Sequence, residues 1–345
     1  MNSTEDTAKD TARTGGRDGG RARLTLRGTL SLALSAGLIL AMAVTASPAP
    51  PPDDDHGDGT GDQDPTTLTA PQAAEGPCDD GYRPEQSRPA ARVPGRAVQE
   101  IRERGSLTVG VDQNSYLWGY REPGTGDIVG FDIDLVEAIA RDVLDDPAPD
   151  IIYRAIPTDQ REEAVLSGRV DMVVRTMSIT CRRLENVAFS TAYFETGQQL
   201  LVPQGSEITG FDDSLAGERV CSAAGSTAEA LLRDEPHGAH LETEANHLDC
   251  LVLVQLGLAD ALVTDAALAA GHIAQDPSMR LVGEPLRGEF YGVAMSQESP
   301  DLVSWVNAVL EDFRADGSWQ AAYRQWLADY LGDASPAPPE PRYRD

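Results

Sequence analysis

The chain has 345 residues, with 28 basic side chains against 56 acidic ones and a formal net charge of −28. That balance excludes a nucleic-acid binder, which needs a basic face to neutralise phosphate, and disfavours adsorption to anionic lipid. Residues 1–23, 47–76 and 334–345 are polar and rich in Gly, Pro or Asp; the about 240 residues between them suit two small domains or one bilobed unit.

Residues 1–27 form a polar segment that contains Arg13, Arg17, Arg21, Arg23 and Arg27, and residues 28–46 carry no charge. No basic residue follows until Arg83, an asymmetry that places the N-terminus in the cytoplasm and the rest outside. The apolar stretch is either a signal peptide cleaved after Val44-Thr45-Ala46 or a retained membrane anchor. Either way the functional part is exported, secreted or tethered to the cell membrane. Residues 47–94 read as a Pro/Asp-rich linker with Cys78, and the acidic run from Asp53 to Asp64 as a solvated tether. The four cysteines, Cys78, Cys181, Cys221 and Cys250, lack zinc-type spacing. An even number in an exported chain points to two disulfides, with three pairings open.

Regular patterning begins near Ala97. A short helix over 97–104 precedes an apolar strand over 107–111 that ends at Asp112. A second strand signal over 127–131 runs into an amphipathic helix with Ile133, Val136, Ile139, Ala140 and Val143 on one face and Asp132 as its N-cap. A strand over 151–155, a helix over 160–167 and a strand over 170–174 follow. The apolar strand 198–202 is followed by a second series: strand 218–221, helix 226–233, helix 248–258, strand 261–263 and helix 266–273. Strands over 281–282 and 290–295 lead to two closing helices. One carries Leu302, Trp305, Val306, Val309, Leu310 and Phe313; the other carries Trp319, Tyr323, Trp326 and Tyr330, read as core packing. Strands alternating with helices predict an α/β fold with largely parallel sheets.

In open α/β sheets, ligands lie beyond the carboxyl ends of the strands. Those ends here carry Asp112 with Tyr116 and Trp118, then Arg175-Thr176-Met177-Ser178, Arg182-Arg183, Gly225-Ser226-Thr227, and Thr264-Asp265. Arginines, hydroxyls, a helix start and carboxylates together match an amino-acid zwitterion. Its carboxylate suits a guanidinium and free helix N–H groups, and its ammonium needs a fixed carboxylate.

These segments resemble the polar-amino-acid branch of bacterial extracellular solute-binding proteins, with closest similarity to glutamate-binding proteins of Gram-positive amino-acid importers. The resemblance is carried by Leu107–Asp112, Val129–Leu135, Arg175–Arg183 with Val187–Ser190, Cys221 with Gly225–Thr227, and Asp249-Cys250 with Asp260–Asp265. It implies a periplasmic-binding-protein-like fold: two α/β lobes, 95–198 with 290–333 and 199–289, joined by hinge strands near 196–202 and 286–292, and a disordered tail over 334–345. It further implies that Arg183 clamps the ligand α-carboxylate, with Thr176 and Ser178 on the same loop and Ser226 and Thr227 at the second lobe's helix start. Asp265 would meet the α-ammonium, with Asp112 at the other acidic position. The disulfides it implies are Cys221–Cys250 and Cys78–Cys181. Arg175 is expected to face an acidic ligand side chain, the competing reading being a salt bridge to a local acid. Tyr116 and Trp118 are pocket walls or packing.

The function implied is capture of a free amino acid, glutamate or aspartate, by a monomer that delivers it to an ABC permease. No cofactor, metal or nucleic acid is expected. No cysteine follows the apolar run closely enough to carry a lipid, so the alternative is a membrane-tethered sensor signalling to a membrane partner. Exported dehydratases of cyclic carboxylic acids share the fold, but an enzyme needs a general acid or base. The candidates, Asp112 and Asp265, are better explained as ammonium partners.

Overall fold

A computed structural model describes residues 76–331 and 337–344, all within one compact unit. The expected cytoplasmic segment and the apolar stretch 28–46 lie outside the described residues. Among those described, no helix is long and apolar enough to cross a membrane.

The first lobe starts with β1 (Ser106–Val111), followed by a small antiparallel meander of β2 (Asn114–Ser115), β3 (Gly119–Arg121) and β4 (Ile128–Val129). Strands β5 (Asp150–Ala155), β6 (Met172–Val173) and β7 (Val187–Phe189) then build its sheet. The long strand β8 (Phe194–Pro203) leads into the second lobe, built from β9 (Arg219–Ala223), β10 (His240–Glu244), β11 (Ala261–Asp265) and β12 (Met279–Val282). The chain returns along β13 (Gly288–Tyr291) and completes the first sheet with β14 (Ala294–Ser296). The sheet orders are β5-β1-β6-β14-β7 and β10-β9-β11-β8-β12. In each, three parallel strands meet antiparallel additions. The two connecting strands pair with each other, Phe194–Gly197 against Gly288–Tyr291, which makes them a two-stranded bridge between lobes.

Each sheet buries both faces. In the first lobe one face packs on helices Phe131–Leu144, Pro300–Ala315 and Ser318–Trp326, and the other on a smaller cluster around Val165, Met177 and Phe189. The aromatics of the closing helices behave as expected at Trp305, Trp319 and Tyr323, which are buried, whereas Tyr330 is exposed. Asp132 does not cap its helix. Gly130 is the N-cap at φ 136°, where a Cβ would lie 2.2 Å from the Trp118 carbonyl oxygen. Freed from capping, Asp132 points inward and is buried. Strand β10 has no counterpart in the sequence reading, because its residues are polar and half-exposed at a sheet edge.

The tail also differs from the disorder expected of it. Residues 337–344 lie beside the strap 76–94, with Ser87 and Tyr343 bridged in parallel and Ser87 N–H donating to the Arg342 carbonyl at 2.9 Å. A Pro-rich composition argues against helix and strand, but it does not prevent extended chain from finding backbone partners.

Both disulfides have the pairing implied by the family resemblance: Cys78–Cys181 with a Cα separation of 5.4 Å, and Cys221–Cys250 with 5.5 Å. The second joins β9 to helix His247–Gln255 in one core. Replacing Cys221 and Cys250 together by Ala is expected to lower the unfolding free energy by about 2–4 kcal/mol in a denaturant titration, through the freed unfolded chain.

Candidate functional site

The site is assembled where β1, β6, β9 and β11 end, facing one another across the lobes. Asp112 follows β1. Its Oδ1 accepts from the backbone N–H of Gln113 (2.8 Å) and Asn114 (3.0 Å), and its Oδ2 from the Ser115 hydroxyl (2.7 Å). Arg175 Nη2 meets the same Oδ2 at 2.9 Å, both side chains being buried. Arg175 also donates to Thr158 Oγ1 and, across the lobes, to Asn246 Oδ1, each at 3.0 Å. For Arg175 this is the competing reading, a salt bridge to a local acid: the two buried charges pair with each other, as buried charges need to.

Arg183 is free of such a close acid. Its Nη1 donates to the Ser178 carbonyl (2.6 Å) and its Nη2 crosses the lobes to the Gly225 carbonyl (3.0 Å), while Glu162 is 3.8 Å from Nε. Gly225 has φ 72°, and a Cβ there would lie 2.7 Å from the Cα of Asp159 in the other lobe, so the lobes close on this glycine. Ser226 caps helix Thr227–Asp234, accepting from Glu229 N–H at 3.0 Å and sharing a hydrogen bond with the Ser222 hydroxyl at 3.0 Å. Thr227 opens that helix. Thr176 has φ 41°, unusual for a β-branched residue, and is held there by donation of its N–H to Asp132 Oδ2 at 3.0 Å.

Asp265 ends β11 and accepts from the Tyr291 hydroxyl at 2.6 Å. Beside it is Glu289 on β13, which accepts from the Ser178 hydroxyl and from Gln198 Nε2 (2.7 Å). Burial, and then the neighbouring Glu289 carboxylate, hold the Asp265 carboxyl well above the usual carboxylate range. A cavity of about 220 Å³ opens along Thr180, Arg183, Gln198, Ser226, Thr227 and Glu289. Tyr116 is half-buried and rests on Tyr120 at 4.8 Å. Trp118 is wholly buried and donates across the lobes to the Ala267 carbonyl at 3.0 Å, so it is packing.

Two residues that the sequence reading passed over belong here. Arg161 is buried, and its guanidinium reaches only the carbonyls of Thr158 (2.9 Å), Arg175 (3.3 Å) and Thr176 (3.4 Å). It takes part in no ion pair among the described residues. Burial, then the nearby Arg183 and Arg175, push its pKa well below the ordinary arginine range. Glu289 is the other. The strand-end rule taken further would have reached Arg161, just past β5, but not Glu289, which lies within the bridge strand opposite Thr196. Among the described residues no cluster of side chains is arranged to hold a metal ion.

Buried guanidiniums, two buried carboxyls and a helix start thus meet between the two lobes. Over residues 107–329 the sequence matches the bacterial extracellular solute-binding proteins, family 3. The chain belongs to this family. It is 33% identical over 230 residues to the ABC transporter glutamine-binding protein GlnH of Bacillus subtilis, covering 66% of this chain and 84% of that one. It is also 33% identical over 243 residues to the glutamate-binding protein GluB of Corynebacterium glutamicum, covering 68% and 81%. A solved structure of ArgBP from T. maritima, a P235GK mutant, superposes with a TM-score of 0.63 at 28% identity over 68% of this chain and 100% of that one. This family member is therefore an amino-acid-binding protein of the ABC-transporter type, with a periplasmic-binding-protein fold.

Asp132 connects the site to the first lobe's core. It also accepts from the Tyr193 hydroxyl at 2.9 Å, and burial pushes its carboxyl up to about 7 against the lowering effect of its two donors. Its folded pKa is above the unfolded value of about 3.9, so its stabilising share is full at low pH and is lost as pH rises toward about 7. Asp132→Asn is expected to remove that slope in unfolding free energies measured by urea titration between about pH 4 and 7.

Proposed function

We propose that the protein captures glutamate between its lobes and delivers it to the permease of an ABC importer. The observation that carries the acidic preference is Arg161, a buried guanidinium with no acid partner beside a second one, Arg183. Arg161 has no carboxylate partner and Arg183 has only Glu162, 3.8 Å from its Nε; two buried cations so weakly compensated are costly until anions enter, and glutamate brings two carboxylates. In this reading Arg183, with the Thr176 hydroxyl and the helix start at Ser226 and Thr227, takes the α-carboxylate, while the Ser178 hydroxyl stays with Glu289. Arg161 takes the side-chain carboxylate, and Asp265 with Glu289 takes the α-ammonium. Glutamine, bound by the Bacillus relative according to its name, would satisfy the geometry but leave Arg161 unneutralised. Closure on the ligand around β8 and β13 then presents one form to the permease.

Calorimetric titration of the full chain against the twenty amino acids tests this reading. Glutamate is expected to bind, Arg183→Ala to abolish binding, and Arg161→Met to weaken glutamate by about 100-fold or more while affecting glutamine far less. Absence of binding to every amino acid, or binding of neutral ones alone, would overturn it.

The ammonium site makes a second prediction. An arriving cation favours the charged form of Asp265, whose carboxyl is held well above its ordinary range by burial and by Glu289, so a proton leaves as the ligand enters. Titrations in buffers of different ionisation enthalpy are expected to show net proton release, and affinity to rise with pH.

A further inference from the structure

The strap 76–94 and the tail 337–344 lie outside the residues shared with the family, 107–329, yet both reach residues next to the ligand clamp. The strap is bonded through Cys78 to Cys181, the first residue of the single helical turn Cys181–Leu184 that carries Arg183. Pro84, on the same strap, is buried and forms part of the wall of the cavity that Arg183, Ser226 and Glu289 line. The strap is itself fixed to the first lobe, with the Ser87 hydroxyl donating to the Phe189 carbonyl at 2.6 Å and accepting from Asn307 Nδ2 at 2.9 Å.

The tail locks the strap from outside. Arg344 N–H donates to the Ser87 carbonyl at 2.7 Å, and its guanidinium meets Asp80 at 2.9 Å. Arg342 pairs with the buried Glu85 and lies over the Phe290 ring at 5.8 Å. Phe290 follows Glu289 on the bridge strand, and its carbonyl accepts from Ile179 N–H at 2.8 Å, within the clamp loop. The two terminal segments thus grip both ends of one small unit: the turn bearing Arg183 and the hinge strand bearing Glu289.

We propose that the strap and the tail are a positioning clip for the ligand clamp, and that Cys78, Cys181 and Arg342 set ligand affinity by holding Arg183 and the adjoining hinge strand in their binding geometry. None of the three has to touch the ligand. A clamp loop that samples other conformations binds in proportion to its competent fraction, so the clip acts on affinity by keeping that fraction high. The ligand arm of the test rests on the glutamate reading above; the exchange arm does not.

The test compares the full-length chain with three variants: Cys78→Ala plus Cys181→Ala, Arg342→Ala plus removal of residues 343–345, and Cys221→Ala plus Cys250→Ala as a control that loses a disulfide remote from the strap. Amide hydrogen exchange over residues 176–184 is followed without ligand, and glutamate affinity by calorimetry. The two clip variants are expected to exchange at least about tenfold faster in that segment and to bind glutamate about tenfold more weakly, in line with a lost competent fraction. The control is expected to lower the thermal midpoint while leaving both readouts within about twofold of the native chain. Unchanged exchange in the clip variants, unchanged affinity despite faster exchange, or an equal loss of affinity in the control would each overturn the proposal. If the native chain binds no amino acid, the functional reading fails and the exchange pattern alone decides the clip.

Discussion

Three guanidinium groups, those of Arg161, Arg175 and Arg183, are buried where the two lobes meet. Taking charges out of water is expensive unless partners compensate, and the rest of the site can be read as the terms on which that burial is tolerated. Arg175 is compensated inside the protein by Asp112, which makes it part of the framework. Its reach to Asn246 adds a contact between lobes. Arg161 is held by carbonyl oxygens alone, and Arg183 by carbonyls with Glu162 3.8 Å from its Nε, contacts that orient a guanidinium more than they neutralise it. The cleft thus holds one closely paired guanidinium and two whose charge is weakly compensated, the feature on which the proposed acidic preference rests.

The opposite side of the cleft has the complementary problem. Asp265 and Glu289 crowd two carboxyls together in a buried space, and Tyr291, Ser178 and Gln198 supply the hydrogen bonds that make this possible. Two carboxyls that close together cannot both ionise easily, and an incoming ammonium relieves that repulsion. Cations in the first lobe and carboxyls in the second lobe and bridge therefore give the cleft a polarity that matches a zwitterion. The hinge carries part of this chemistry, since Glu289 and Tyr291 are on β13. In the proposed reading, ligand binding and lobe closure thus share residues.

Much of this was legible in the chain. Alternating strand and helix patterns marked two α/β series, because a strand buried on both faces is continuously apolar and a covering helix is apolar on one side. The strand-end rule brought Arg183, Ser226 and Asp265 to one place. It stopped short of Arg161, hidden in the polar run Thr158–Glu163, where a buried arginine looks like any surface charge. Glu289 was missed for a related reason: only the pairing of β13 with β8 turns that short segment inward.

The sequence alone determined the fold class, the export signature, the family and the set of chemical groups available at the strand ends, since these depend on local periodicity and on residue type. Which groups remain available to a ligand was decided only by the tertiary structure. Arg175 and Asp112 are 63 positions apart in the chain, yet they meet at 2.9 Å and cancel, and no local pattern records that. The same holds for the tail, whose Pro-rich composition argues against regular structure but cannot reveal that Arg342 finds Glu85, 257 positions away in the chain. Charge neutralisation and packing are properties of neighbours in space, and the fold chooses the neighbours.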